Sequence, residues 1–526
     1  MKKLTSLRTV LWLALCLAAV AVSARETELR MGVYIYDYAF RRMAEGYGED
    51  LKSFVEKHFT YLQKNHVNAI HLTVANSNGK DFREVWLPLM KKYGIKAYLQ
   101  LDFAYFRGGA ADWKEPLEDK QAERAANFIQ EFKDEPMIMG FSIREEVSQA
   151  QVNAMARYYA KIQALVPGFK IFTLHNNLGA AKDQPVPDPA VMGTDRYCFW
   201  WEFSANGYLA TPSFALNWLR TDADRYYWEA AKRGADYVFV LTANAFVGGR
   251  TLETWKEWGE KKPKMLAKIE QFSKDQRFGW KQAEASGEPM MWYWKYYRPP
   301  VNCTRAMIWT GILEGARCVL FWSYTPVEKN RLDKTVEQVL TDLMADAKAK
   351  KKAKATVHYN WTTMAGRPGL PNQPMEEFAA TAEELKPYSR LICMMSKLPD
   401  SPVKTEVKKK IYNRAFSVTG YKGRVIVLQN ANVGTWGAKS SGFFSDKDDI
   451  RVNDNGDLIG YTPFKDKRTA EFTVTGSDPV FDFASGQEIK LDGGKGKVEL
   501  LPGGGTMLFI GTQEEFGKLK TAAAAE

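Results

Sequence analysis

The sequence predicts a (β/α)8 barrel followed by an all-β C-terminal sandwich, and three observations carry that prediction. Apolar runs of strand length alternate with stretches of helical periodicity over about 300 residues, the extent of such a barrel with insertions. Polar or acidic residues recur where the apolar runs end, as when parallel strands deliver side chains to one face of a barrel. From Thr405 onward, short strand-like runs such as 424–428, 471–474 and 507–510 are separated by Gly, Asn and Asp turns, the texture of an antiparallel sandwich. A doubly wound open sheet is the alternative for the first part. It requires a glycine-rich first turn, and no GxGxxG occurs.

The elements follow in order. A strand at 29–36 ends at Asp37, and a helix over 49–65 carries Leu51, Phe54, Val55, Phe59 and Leu62 at helical spacing. The strand 69–74 is followed by a helix over 82–93 that closes at Gly94, and the strand 95–101 ends at Asp102. After a helix over 118–132, the apolar run 137–143 stops abruptly at Arg144, Glu145 and Glu146. A helix over 149–166 is stopped by Pro167 and Gly168, and the strand 170–174 leads into His175 and Asn176. The sixth strand, 190–193, runs into Asp195 and Tyr197, and a helix is expected near 213–232. Two runs compete for the seventh strand, 237–241 (YVFVL) and 290–297 (MMWYWKYY); the second is preferred and the first is read as an insertion. A helix over 305–315 and a strand over 318–324 complete the round. The barrel is assigned to 25–398 and the sandwich to 399–526, with the tail 521–526 left unstructured.

Composition narrows the class. The chain has 526 residues, 45% hydrophobic and 13% aromatic, enough for a large core. Residues 1–24 join Lys2, Lys3 and Arg8 to the apolar run 10–22 and the small-residue ending Val22, Ser23, Ala24. That is the pattern of a secretory signal peptide, so cleavage after Ala24 and a secreted or periplasmic protein are expected. No later apolar segment is long enough to cross a bilayer. Loss of Lys2, Lys3 and Arg8 lowers the formal charge from +11 to +8, and the only dense basic run is 348–354. A solvated surface explains that balance, and nucleic acid is not an expected partner. There is no CxxC, HExxH, P-loop or GxSxG, so neither a metal nor a cofactor is expected. Oligomeric state and cysteine pairing have no signature in the sequence.

The stretch 137–147, MIMGFSIREEV, organises the chemistry. A buried parallel strand that delivers two carboxylates at its carboxyl end is what an enzyme barrel does at its catalytic face. The competing reading is that Glu145 and Glu146 merely charge the first turn of the next helix. Three stretches carry a resemblance. GFSIREEV (140–147) is similar to the fourth-strand segment that ends in Asn-Glu-Pro or Asp-Glu-Pro in bacterial glycoside hydrolases of clan A type, the β-galactosidase-like and poorly characterised barrel families with a C-terminal β-sandwich. GTDRY (193–197) resembles their sixth-strand Asp-x-Tyr, and 305–326 resembles their last helix and strand. Two positions depart from the pattern. Val147 stands in place of the proline, and neither candidate for strand seven ends in the glutamate that serves as nucleophile in retaining members.

The resemblance implies a carbohydrate substrate and carboxylate acid/base chemistry with Glu146 as proton donor beside Glu145. For the second carboxylate Asp195 ranks first, then Asp37, Asp102 and Glu202, each at or just past a strand end. Asp37 and Asp102 are equally suited to structural hydrogen bonds with neighbouring loops. Tyr197, Trp201, Trp294, Trp322 and Tyr324 are candidates for stacking on sugar rings, although strand aromatics are more often core. His175, Asn176 and Asn244 suit sugar hydroxyls or loop capping. The alternative from another class is a non-catalytic carbohydrate-binding protein on a degenerate barrel.

Overall fold

The computed structural model describes residues 26–524 apart from 77, 105–114, 184–190, 200–209, 264–265, 268–270, 272–280, 286, 351–355 and 437–450. The expected signal peptide, Trp201 and Glu202 lie outside the described residues. Seven parallel strands come first: β1 (Arg30–Tyr36), β2 (Ala69–Thr73), β3 (Lys96–Gln100), β4 (Ile138–Ser142), β5 (Phe172–His175), β6 (Val191–Arg196) and β7 (Asp236–Thr242). Antiparallel strands β8 (Ala245–Thr251), β9 (Lys281–Ala285) and β10 (Glu288–Tyr296) follow. The chain then returns to the barrel with β11 (Cys318–Trp322) and leaves it again for β12 (Thr356–Thr362).

The parallel strands pair in the order β4-β3-β2-β1-β11-β7-β6-β5. Single parallel bridges from Phe141 to Ile171 and from Glu145 to Leu174 close the gap between β4 and β5, which makes an eight-stranded barrel. Alternation directs Tyr34, Tyr98, Phe172, Leu174, Val238, Val240 and Leu320 to the interior. There Tyr98 stacks on Phe172 at 4.6 Å and Tyr34 on His71 at 4.0 Å. Gly32 permits the close approach of β1 to β2, since a Cβ at that position would lie 1.8 Å from the Ala69 carbonyl oxygen.

The seventh barrel strand is therefore 236–242, the run read as an insertion, and the preferred run 290–297 is corrected. That run forms β10, antiparallel to β8 and β9 in a separate sheet of order β12-β8-β10-β9. Both runs are apolar, aromatic and of strand length, and such a pattern does not distinguish parallel from antiparallel partners. What separates them is long-range packing. Trp255, on the helix Leu252–Lys261, donates its indole N–H to Met291 O at 3.2 Å and packs against Tyr293, which holds β10 to its own helix.

Beyond the barrel, strands Met395–Lys397, Ile411–Val418, Arg424–Asn430, Gly505–Ile510 and Val480–Asp482 form one sheet, and Val403–Thr405, Arg468–Val474 and Lys495–Leu500 form another. A common core of Ile411, Ile426, Leu428, Phe472, Val474, Leu500 and Leu508 lies between them, so the C-terminal part is a β-sandwich. Met395–Lys397 pairs with this sheet although it precedes the boundary expected at 398. The tail is helical over Gln513–Ala524, because Phe516 docks on Phe481 at 4.8 Å; this corrects the unstructured reading of 521–524.

The helix Cys303–Leu313 is buried on every face except at Arg305, because it is enclosed by barrel and sandwich together. Each large apolar side chain buried there contributes about 1.5–3 kcal/mol. Just past its end, Glu314 is fully buried and pairs with Lys397, which is itself 1% exposed. Arg414 Nε also reaches Glu314, at 3.1 Å, and Asp224 completes the group on Lys397. The four cysteines of the described chain are all buried and free.

Candidate active site

The carboxyl ends of β4, β5, β6 and β11 surround an open cavity of about 600 Å³, within the roughly 300–1,000 Å³ of small-molecule sites. Glu145, Glu146, Asp195, Arg196 and Lys295 line it, against a wall of Tyr36, Tyr197, Phe246, Tyr296 and Trp322.

The backbone after β4 explains how two adjacent glutamates both arrive there. Glu145 bridges to Leu174 on β5, and the Glu146 N–H donates to Leu174 O at 3.0 Å. Glu146 then adopts φ +51°, a left-handed conformation that costs a non-glycine residue about 1–2 kcal/mol. The turn leaves Glu145 pointing into the barrel and Glu146 exposed toward the cavity. Neither glutamate charges the following helix, because Ser148 and Gln151 form its capping box and its first turn holds no acidic residue.

Glu145 is enclosed. Its Oε1 lies 3.0 Å from His71 Nε2 at the back of the site. Burial, reinforced by the charge of Glu146, pushes its carboxyl up to about 8, while burial takes His71 down to about 3. At neutral pH the two are therefore a neutral acid beside a neutral imidazole.

Asp195 is 4% exposed on the inward face of β6 and in hydrogen-bond contact with the Glu146 carboxyl. Its pKa is raised well above the ordinary aspartate range, by burial first, then by that hydrogen bond and by the charge of Glu146, with Glu145 adding to it once ionised. Two carboxyls this close repel when both are charged, which adds to the burial that favours the protonated form of Asp195.

The aromatic wall is ordered. Tyr197 stacks on Trp322 at 5.1 Å, and the Trp322 indole N–H donates to Tyr36 Oη at 2.7 Å. Arg196 buttresses the rim through Asp222 Oδ2 at 2.8 Å, Tyr226 Oη at 2.8 Å and the Asn176 carbonyl.

Of the residues expected from sequence, Glu145, Glu146, Asn176, Asp195, Tyr197 and Trp322 meet in this cavity. Asp102 stands beside it, accepting from Gln100 Nε2 at 2.7 Å and acting electrostatically on Glu145 and Tyr36. Five others are corrected. Asp37 is a structural residue that accepts from Ala75 N, Tyr38 N and Thr73 Oγ1, tying the loop after β2 to β1. His175 is buried on the outward face, since alternation sends Leu174 and Asn176 inward, and the nearby charge on Arg233 acts on it. Asn244 is fully buried, clasping Ser323 through N–H···Oδ1 at 3.1 Å and Nδ2···Oγ at 3.2 Å. Trp294 is 1% exposed, packed on Trp292 and Gly456. Tyr324, also 1% exposed, hydrogen-bonds His58 Nδ1 at 2.9 Å beneath the helices.

Sequence reasoning missed Arg196 and Trp218 beside β6, and also Tyr36, Phe246, Lys295 and Tyr296. Tyr36 was accessible from the alternation that turns Tyr34 inward, whereas Phe246, Lys295 and Tyr296 depend on how the β8-β10-β12 sheet folds over the mouth. A further cavity of about 270 Å³ at the opposite end of the barrel, beside Met31, Asn68 and Gly94, has no convergent carboxylates. Among the described residues no group of three or more His, Cys, Asp and Glu is placed to hold a metal ion.

No family model and no curated protein matches the chain. Solved structures similar to it include AmyP, in complex with maltose, which is 11% identical over 94% of this chain and 98% of that one, with a TM-score of 0.47. A GH30 endoxylanase from Clostridium papyrosolvens is 10% identical over 93% and 97% of the two chains, with a TM-score of 0.37. A glycoside hydrolase family 5 mannosidase from Rhizomucor miehei is 10% identical over 57% and 82%, also with a TM-score of 0.37.

Proposed function

We propose that the protein is an exported glycoside hydrolase that cleaves O-glycosidic bonds of an oligo- or polysaccharide at the barrel mouth. The observation that carries this reading is the juxtaposition of Glu146 with the buried Asp195 in an open cavity walled by stacked aromatics. Glu146 is the member exposed to the cavity and acts as proton donor to the leaving-group oxygen. Asp195, behind it and with its pKa raised by burial, and neutral Glu145 limit negative charge around the Glu146 carboxyl. Tyr197 and Trp322 offer apolar ring faces to the sugar.

One observation favours a second reading, a carbohydrate-binding barrel without hydrolysis. The carboxyls of Glu146 and Asp195 touch, whereas retaining hydrolysis separates its two carboxyls by about 5 Å and inverting hydrolysis by about 6.5–9.5 Å. Asp195 in this position supports the acid and is not itself a separately placed nucleophile or base.

Incubating the mature protein and its Glu146→Gln variant with a panel of plant, algal and host glycans decides between the readings. A hydrolase loses at least about a hundredfold in rate on substitution. Binding of a glycan by both proteins with cleavage by neither establishes the second reading.

A further inference from the structure

Two cations of the antiparallel sheet over the mouth, Lys295 and Arg250, form no ion pair with an acidic side chain among the described residues. Lys295, at the irregularity of β10, is half-buried in the wall of the cavity that holds Glu146 and Asp195. Its ammonium stands 5.3 Å from the ring centroids of both Phe246 and Tyr296. Among the described residues it makes no hydrogen bond and no ion pair; its electrostatic neighbours are Glu146 and Arg250. Arg250, on β8, lies 5.0 Å over the Trp255 ring, and its Nε has no hydrogen-bond partner among the described residues. Register places His358 two positions along on the same face, and Lys295 and Arg250 both act electrostatically on it. Arg196, the other cation lining the cavity, is already engaged by Asp222, Tyr226 and the Asn176 carbonyl.

A half-buried ammonium with no ion-pair partner among the described residues is unfavourable, and burial lowers its pKa accordingly. A ligand that brings an anion to Lys295 relieves that penalty, while a neutral sugar leaves it in place. Glu146 offsets part of that penalty at longer range but, among the described residues, forms no ion pair with Lys295. On the glycan reading above, we infer that the sugar occupying the mouth carries an anionic group, a carboxylate or a sulfate ester, bound by Lys295 with Arg250 behind it. The compact ammonium serves either anion, because it acts as a point charge and not as a planar fork. Since Lys295 and Glu146 line one cavity, the charged sugar is the one at the scissile bond or its immediate neighbour.

Two pairs of polymers test this by calorimetry: polygalacturonate against its methyl ester, and a sulfated galactan against its desulfated form. The protein is the mature chain bearing Glu146→Gln, so that cleavage does not intervene. The expected result is that one anionic polymer binds at least about tenfold more tightly than its neutral counterpart, the range of a hydrogen bond to a charged group. That preference weakens in high salt. Adding Lys295→Met removes the preference, whereas Lys295→Arg retains it. Which pair responds identifies carboxylate or sulfate. The inference is overturned if neither pair shows a preference, or if the preference survives Lys295→Met. Should Lys295→Met unfold, Arg250→Gln takes its place, with a reduced preference expected and an unchanged one counting against the inference. An anionic glycan bound but not cut by the protein with Glu146 intact removes the hydrolase reading alone. Cleavage of neutral glycans with no anionic preference removes this inference alone.

Discussion

Replacing Glu145 by Gln probes the electrostatics of the mouth without altering its shape. The carboxyl is held neutral by the fold, with its pKa raised from 4.5 to about 8 by burial and by Glu146. The folded protein therefore binds more protons here than the unfolded chain does between those two values, and its stability falls as pH rises through that window. At about 1.36 kcal/mol per pH unit, the displacement from 4.5 to about 8 sets a ceiling of about 5 kcal/mol. Because the Glu145 side chain is 18% exposed, about 2–4 kcal/mol is expected. Urea unfolding of both proteins, followed by tryptophan fluorescence from pH 5 to pH 9, gives the comparison. Near pH 5 the two should agree within about 1 kcal/mol, and at pH 9 the variant should be more stable by about 2–4 kcal/mol. A difference that is flat with pH, or that favours the wild type increasingly as pH rises, refutes the neutral-acid assignment.

Three further outcomes are expected. Glu314→Ala strands Lys397 and Arg414 without their buried partner between barrel and sandwich, which should cost about 3–5 kcal/mol in denaturant titration. Because Glu146 has φ +51°, Glu146→Gly should be more stable than Glu146→Ala by about 1 kcal/mol although both lack the carboxyl, as differential scanning calorimetry would read. Trp322→Ala removes one face of the stack with Tyr197 and the N–H that holds Tyr36, and should weaken calorimetric affinity for a bound glycan by about tenfold, or about 1.4 kcal/mol.

The barrel was readable because its determinants are local. Strand runs, helix-stop glycines and the acidic or polar residues at strand ends are written within short windows, and Glu145, Glu146, Asp195, Tyr197 and Trp322 all followed from strand ends. Errors arose where two long-range arrangements share one local pattern. The runs 237–241 and 290–297 are both apolar, aromatic and of strand length, yet one is a parallel barrel strand and the other an inner strand of an antiparallel sheet. Misplacing that sheet also misplaced its contribution to the mouth, so Trp294, buried at 1% exposure, was chosen ahead of its neighbours Lys295 and Tyr296. Period-two alternation separates His175 from Asn176 once the exact strand register is known, and a shift of one residue reverses the answer. The contact between Glu146 and Asp195 had no sequence signature, since it depends on the left-handed turn at Glu146 and the closure of β4 on β5.

A crystal structure of the Glu146→Gln variant with an oligosaccharide from the tightest-binding polymer tests the central claim most directly. The account predicts a glycosidic oxygen about 2.6–3.2 Å from the side-chain amide at position 146, with a sugar ring against Tyr197 and Trp322. A glycan seated away from this mouth, or lying across it with every glycosidic oxygen beyond hydrogen-bond reach of that side chain, would contradict it.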